Sequence, residues 1–145
     1  VKVIQKRKDI IFVFINTPKF YEHEQLIFKP STHNGEEISK FIETTDCMLH
    51  ARWEGETFGL ACAEFLTRDK PILTWSHCRE RNHLILGQQG CLFYNTSNDL
   101  YSTLMCIDHE HLSSVANTIN PKVFHQYSSQ SVNTKLRKLL LNQCS

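Results

Sequence analysis

Apolar residues along this chain fall into short unbroken blocks and into stripes at helical spacing, and the two kinds alternate. Asp9 to Asn16 contains six consecutive apolar residues, Ile10 to Ile15. A continuous block of that length predicts a strand covered on both faces, as in a parallel sheet, and Thr17 and Pro18 end it. Gln25 to Lys29 reads as a second strand, closed by the turn formers between Pro30 and Gly35. From Gly35 onward, Ile38, Phe41 and Ile42 recur at helical spacing, with Glu36 and Glu37 near the positive N-terminal end. Cys47 to Ala51 is a short strand, Phe58 to Arg68 a helix carrying Leu60, Ala61, Phe65 and Leu66, and Pro71 to Trp75 another strand.

The alternation continues with a helix over Arg81 to Gln88, a strand over Gly90 to Tyr94 and a helix from Ser97 to Met105. Strands alternating with helices predict a mostly parallel Rossmann-like α/β sheet with right-handed crossovers and helices on both faces. Pro121 reads as a break and Ser128 to Thr134 as a polar stretch, with a terminal helix over Lys135 to Leu141. The division expected is a domain over 1–120 and a C-terminal helical tail over 121–145.

Composition narrows the partners. Sixteen Lys and Arg against fifteen Asp and Glu give a formal charge of +1, so no bulk field draws nucleic acid or an anionic membrane. No apolar run approaches the roughly 20 residues of a membrane span, and a soluble chain is expected. Cys47, Cys62, Cys78, Cys91, Cys106 and Cys144 form no C-x-x-C pair, and several lie in apolar runs. Reduced thiols and a cytoplasmic location are the expectation. His77, Cys78 and His83, and likewise His109 and His111, have no structural-zinc spacing, and no metal or other cofactor is expected.

The candidate chemistry lies between the strand ending near Ala51 and the following helix. Arg52 to Leu60 contains two glycines, Gly55 and Gly59, and the acids Glu54 and Glu56. In open α/β sheets, ligands bind beyond the carboxyl ends of the strands, where such loops sit. Glu56 and Glu64 are eight positions apart, a little over two helical turns, and so can lie along one side of a helix and the loop leading into it. Carboxylates accept hydrogen bonds from paired hydroxyls, so two acids flanking backbone N–H groups suit a ligand with sugars at both ends and phosphates between. His50 reads as a strand-end histidine held by a local hydrogen bond, or as a donor to phosphate or sugar. Trp53 either packs the loop or stacks near the ligand.

The segment Glu56 to Glu64, with Ile42 to His50 before it and Pro71 to Thr74 after it, resembles the glutamate-x7-glutamate signature of retaining GT-B glycosyltransferases. Gly90 to Leu100 is similar to a later strand, turn and helix of the same family, and the resemblance covers residues 9 to 105. It implies a single GT-B half-domain that binds a nucleotide sugar and transfers a hexose, with retention and without a metal. Glu56 is then the catalytic-site acid on the hydroxyls of the transferred sugar, and Glu64 holds the ribose. The Phe58, Gly59 and Leu60 amides face the sugar or diphosphate, with Thr57, Arg52 and His50 completing the donor site. The acceptor, a glycan, protein or lipid, is expected on an N-terminal domain outside these residues.

Two features depart from the family. No Arg and Lys pair upstream of the first strand matches the diphosphate ligands, Lys6, Arg7 and Lys8 being differently placed, and Ser76 to His83 lacks the family's glycines. Arg79 or Arg81 is the candidate substitute for the phosphate contact. The alternative reading is a non-catalytic nucleotide-sugar-binding or protein-interaction module. A third keeps the fold and changes the reaction to epimerisation or phosphorolysis.

Overall fold

Ile72, Leu73 and Thr74 are almost wholly enclosed, and they mark the centre of the fold. They belong to β5 (Ile72–Trp75), which pairs in parallel with β3 (Met48–His50) on one side and β7 (Cys91–Tyr94) on the other. A central strand flanked on both edges leaves no unpaired backbone groups, and its side chains can be apolar on both faces. In the computed structural model, which describes residues 1–142, short parallel strands are gathered in sheets with helices around them. This is the mixed α/β arrangement expected of a small Rossmann-like domain.

Local chemistry accounts for the helices. Asn34 caps α2 (Gly35–Glu43) by accepting from the Glu36 and Glu37 amides at 2.9 and 3.3 Å. Thr96 does the same for α5 (Ser97–Cys106) through Asp99 N–H at 3.0 Å. The stripe on α2 and the inner face of α3 (Leu60–Leu66) meet over β5. Ile42, Cys62, Phe65, Leu66 and Ile72 form the core cluster, with Ile38, Phe41 and Met48 packed against it. Among the described residues, no helix is long and apolar enough to cross a membrane.

Several elements differ from expectation. The block from Asp9 to Asn16 yields only the three-residue β1 (Phe12–Phe14), half-buried throughout, which pairs in parallel with β2 (Leu26–Phe28) and with no other strand. It is therefore not covered on both faces. Asn16 adopts φ 56°, a left-handed conformation that asparagine tolerates, and stops the strand. Phe14 stacks on Phe28 at 4.8 Å and Phe20 sits edge-on to both, so an aromatic cluster supports the pair in place of a second sheet neighbour.

At the N-terminus, Arg7 follows α1 (Lys2–Lys6) and donates to the carbonyls of Leu104, Met105 and Ile107 at 2.9 to 3.1 Å. It thereby closes the C-terminal end of α5. Its partner Asp9 is held at about 2, well below the usual carboxylate value, by the Arg7 hydrogen bond.

Pro121 opens rather than breaks structure. Asn120 caps a 3₁₀ segment, Pro121–Tyr127, with the proline at its first position, where a missing N–H costs nothing. Phe124 of that segment packs against the core cluster. The terminal helix α7 (Ser129–Asn142) begins earlier than the Lys135 expected and packs on the 3₁₀ segment. Cys144 and the end of the tail lie outside the described residues. Between α5 and the tail an unanticipated helix, α6 (His109–Ala116), is capped by Asp108 through His111 N–H at 2.8 Å.

Candidate functional site

β3 and β5 run side by side, with His50 opposite Thr74 in register, so their carboxyl ends deliver the 51–59 loop and the 76–83 loop to the same edge. The two loops are tied together. Gly55–Glu56 forms β4 and pairs in parallel with β6 (Glu80–Arg81), and Glu80 N–H donates to the Glu54 carbonyl at 2.8 Å. Gly55 has φ +75°, and a Cβ there would lie 1.9 Å from the Glu80 carbonyl oxygen, so the strap requires glycine.

Glu56 is drawn inward by this geometry. Its carboxylate receives Arg52 at 3.0 and 3.1 Å on its two oxygens, and His50 Nε2 at 3.4 Å on Oε1. Burial pushes the Glu56 carboxyl up, but the hydrogen bonds and charges of Arg52 and His50 outweigh it, and the net value falls below the ordinary 4.5. The acid is ionised near neutrality. An ionised carboxylate only accepts, so His50 Nε2 carries a proton toward Glu56, and His50 Nδ1 lies within hydrogen-bond distance of Thr74 Oγ1 at 2.9 Å.

The polar chain continues inward. Thr74 Oγ1 is 3.4 Å from His83 Nε2, and the two imidazoles lie 4.7 Å apart. Burial, then the neighbouring His50, push His83 below its ordinary 6.5. His83 Nδ1 has no hydrogen-bond partner among the described residues. Cys78 Sγ is 3.9 Å from His83 Nε2 and closes the cluster. Behind Glu56, then, stands a buried row of His50, Thr74 and His83 that fixes where the carboxylate points.

Gly59 locks the same corner from the other side. At φ +83° it is left-handed, and a Cβ would come within 2.7 Å of the His83 Cβ and 3.3 Å of the Glu56 Cβ. α3 starts immediately after it. Thr57 is exposed and its carbonyl accepts from the Asn82 side chain, where α4 (Asn82–Leu86) begins. Phe58 is half-buried and meets the Tyr127 ring edge-on at 4.9 Å, which brings the 3₁₀ segment of the tail beside the loop. Leu60 is largely exposed.

Glu64 lies on the solvent side of α3, opposite Cys62, Phe65 and Leu66. Its carboxylate has no hydrogen-bond or ion-pair partner among the described residues; only its backbone carbonyl is used, by Thr67 and Arg68. Glu56 is thus engaged and Glu64 free. Of the loop arginines, Arg79 is largely exposed and lies 3.9 Å from Glu54 and 3.4 Å from Glu80, contacts too exposed to hold it firmly. The Arg81 backbone pairs with Glu56.

Thr74, His83 and Asn82 were not among the residues read from sequence as the site. A lone hydroxyl within the apolar Pro71 to Trp75 run is the one local signal for Thr74, and His83 stood out only as a candidate ligand with unsuitable spacing. A cavity of about 220 Å³ lies elsewhere, between α4 and the 3₁₀ segment, lined by Leu66, Ile85, Gly90, Ile119 and Phe124. It contains none of the site residues. No family model, curated protein or solved structure matches this chain.

Proposed function

We propose that this chain is the nucleotide-sugar-binding half of a retaining hexosyltransferase, with Glu56 contacting the transferred sugar and Glu64 the ribose. The observation that carries the reading is the setting of Glu56: an ionised acid at the carboxyl end of a parallel strand, oriented by Arg52 and His50 and backed by Thr74. Arg52 and His50 occupy three of the roughly four lone-pair sites of a carboxylate. The remaining site on Oε2 can accept a sugar hydroxyl.

In this reading the bond from the anomeric carbon to the phosphate oxygen breaks, the nucleoside diphosphate leaves, and an acceptor hydroxyl takes its place on the same face, giving its proton to the departing phosphate oxygen. Glu56 transfers no proton; it positions the ring. Positioning, together with preorganised donors to the departing diphosphate, supplies the rate enhancement in place of a metal. The Phe58, Gly59 and Leu60 amides are assigned to the sugar and diphosphate, with Thr57 beside them. The acceptor, a glycan, protein or lipid, would be held in the main by a domain beyond these residues, with its reacting end reaching the edge where Glu56 stands.

The same reading places the chain in the cytoplasm. The five described cysteines are free, and burial pushes the Cys47 thiol up to about 11 and those of Cys62 and Cys91 to about 12, which keeps them protonated and unreactive. A non-catalytic interaction module gains support from one observation, the exposed Leu136, Leu139, Leu140 and Leu141 on α7.

Glu56→Gln tests the assignment, since it keeps the shape and removes the charge. Binding of the matching nucleotide sugar is expected to weaken more than tenfold, about 1.4 kcal/mol, while the parent nucleoside diphosphate is held as before. Equal loss for both ligands would remove Glu56 from the sugar.

A further inference from the structure

Trp53 and Trp75 stand at the same edge as Glu56 and take no part in the polar row. Trp53 is 71% exposed, yet its ring centroid lies 4.2 Å from that of Trp75 with the planes 35° apart. Trp75 ends β5 and is pinned there. Its indole N–H donates to the Asn95 carbonyl at 3.2 Å, and Ser76 Oγ holds the Asn95 side chain at 2.5 Å. A large apolar ring left in water against a fixed partner has one face free to take a flat ligand.

The surroundings select which kind. Trp53 sits between Arg52, which grips Glu56, and Glu54, which lies 3.9 Å from Arg79. Arg52, Glu54 and Arg79 are 62%, 61% and 79% exposed, so the residues that flank Trp53 in the chain, with Arg79 beside Glu54, offer a carboxylate acceptor and guanidinium donors to solvent on the same loops. A pyranose ring has the matching chemistry, an apolar C–H face and an edge of hydroxyls that both donate and accept.

We infer that Trp53 and Trp75 form a stacking platform for a sugar ring beside Glu56, supplied either by the donor's hexose or by a saccharide acceptor. The assignment rests on the transferase reading above.

These are the only two tryptophans in the chain, so all of its indole emission reports on the platform. The full chain and Trp53→Ala, in which Trp75 still reports, are titrated with UDP, UDP-glucose, GDP, GDP-mannose and maltotriose, and circular dichroism checks that both are folded. A sugar-bearing ligand is expected to change the emission saturably. Trp53→Ala should weaken that ligand at least fivefold and its parent nucleotide less than twofold, with Trp53→Phe recovering part of the loss. A response confined to a nucleotide sugar assigns the ring to the donor, and one to maltotriose assigns it to the acceptor.

Equal weakening of nucleotide and nucleotide sugar means the indoles stack on the base and overturns the platform. So does unchanged affinity, or an emission that no ligand alters. Maltotriose binding lost in Trp53→Ala, with no nucleotide bound, upholds the platform and removes the donor reading. Nucleotide sugar binding that Trp53→Ala leaves intact does the reverse.

Discussion

In the central sheet Ile72 and Leu73 keep at most 1% of their surface exposed, whereas Ile27 of β2 keeps 38% and Ile11, just before β1, 56%. Both regions are parallel pairings of short apolar strands, so strand character does not separate them. Neighbours do. β5 has a strand on each edge and packs with α3, while β1 has β2 alone. The lesson bears on function, because His50 and Thr74 stand on the enclosed sheet and orient Glu56 from rigid backbone. The β1–β2 pair, whose apolar block promised a core strand, holds none of the site.

The largest expected contrast is in stability. Leu73→Ala should cost about 2–5 kcal/mol in urea unfolding, as for a fully buried leucine, and Ile27→Ala under about 1 kcal/mol. Equal costs would erase the distinction between the regions. Next comes the corner where the sheet meets the site. Gly59→Ala places a Cβ against His83 in a left-handed conformation and should cost about 1–3 kcal/mol in the same measurement. Gly35→Ala, with nothing within 4 Å of the new Cβ, should change stability by less than about 1 kcal/mol in either direction.

The smallest expected effect is a pH dependence, and its sign follows from His83. Its folded value is depressed below 6.5, so between the two values the unfolded chain binds more protons, and stability rises with pH. The contribution is complete above 6.5 and is lost as pH falls through the folded value. Unfolding midpoints recorded from pH 8 downward should therefore decline below 6.5 in the native chain. The decline should be shallower in His83→Phe, and an identical slope would mean that His83 is not buried as a neutral ring.

Much of this was legible in the sequence where the signal was local. Ile38, Phe41 and Ile42 announced the inner face of α2, and the largely apolar Pro71 to Trp75 run announced β5. Glu56 and Glu64 were visible by spacing, but their inequality was not. Whether an acid is gripped depends on His50 and Arg52 folding back over it. The Thr74 to His83 link, the β4–β6 strap and the Trp53 to Trp75 contact join segments on different elements, and no periodicity encodes such pairings. α6 was missed because its cap, Asp108, precedes only a weak apolar stripe. The start of α7 was missed because Ser129 to Thr134 is polar and faces water almost entirely. The β1 block misled because continuous hydrophobicity reports a capacity for burial, and coverage depends on what else the chain supplies.

The donor reading makes Glu64 its simplest target, since that carboxylate is exposed and unengaged and its removal should leave the fold intact. Calorimetric titration of the chain with UDP, GDP and ADP, repeated on Glu64→Ala, tests it directly. The expected result is saturable binding of one nucleotide, weakened more than tenfold, about 1.4 kcal/mol, by the substitution. A folded chain that binds none of the three, or binds one equally well without Glu64, would contradict the assignment.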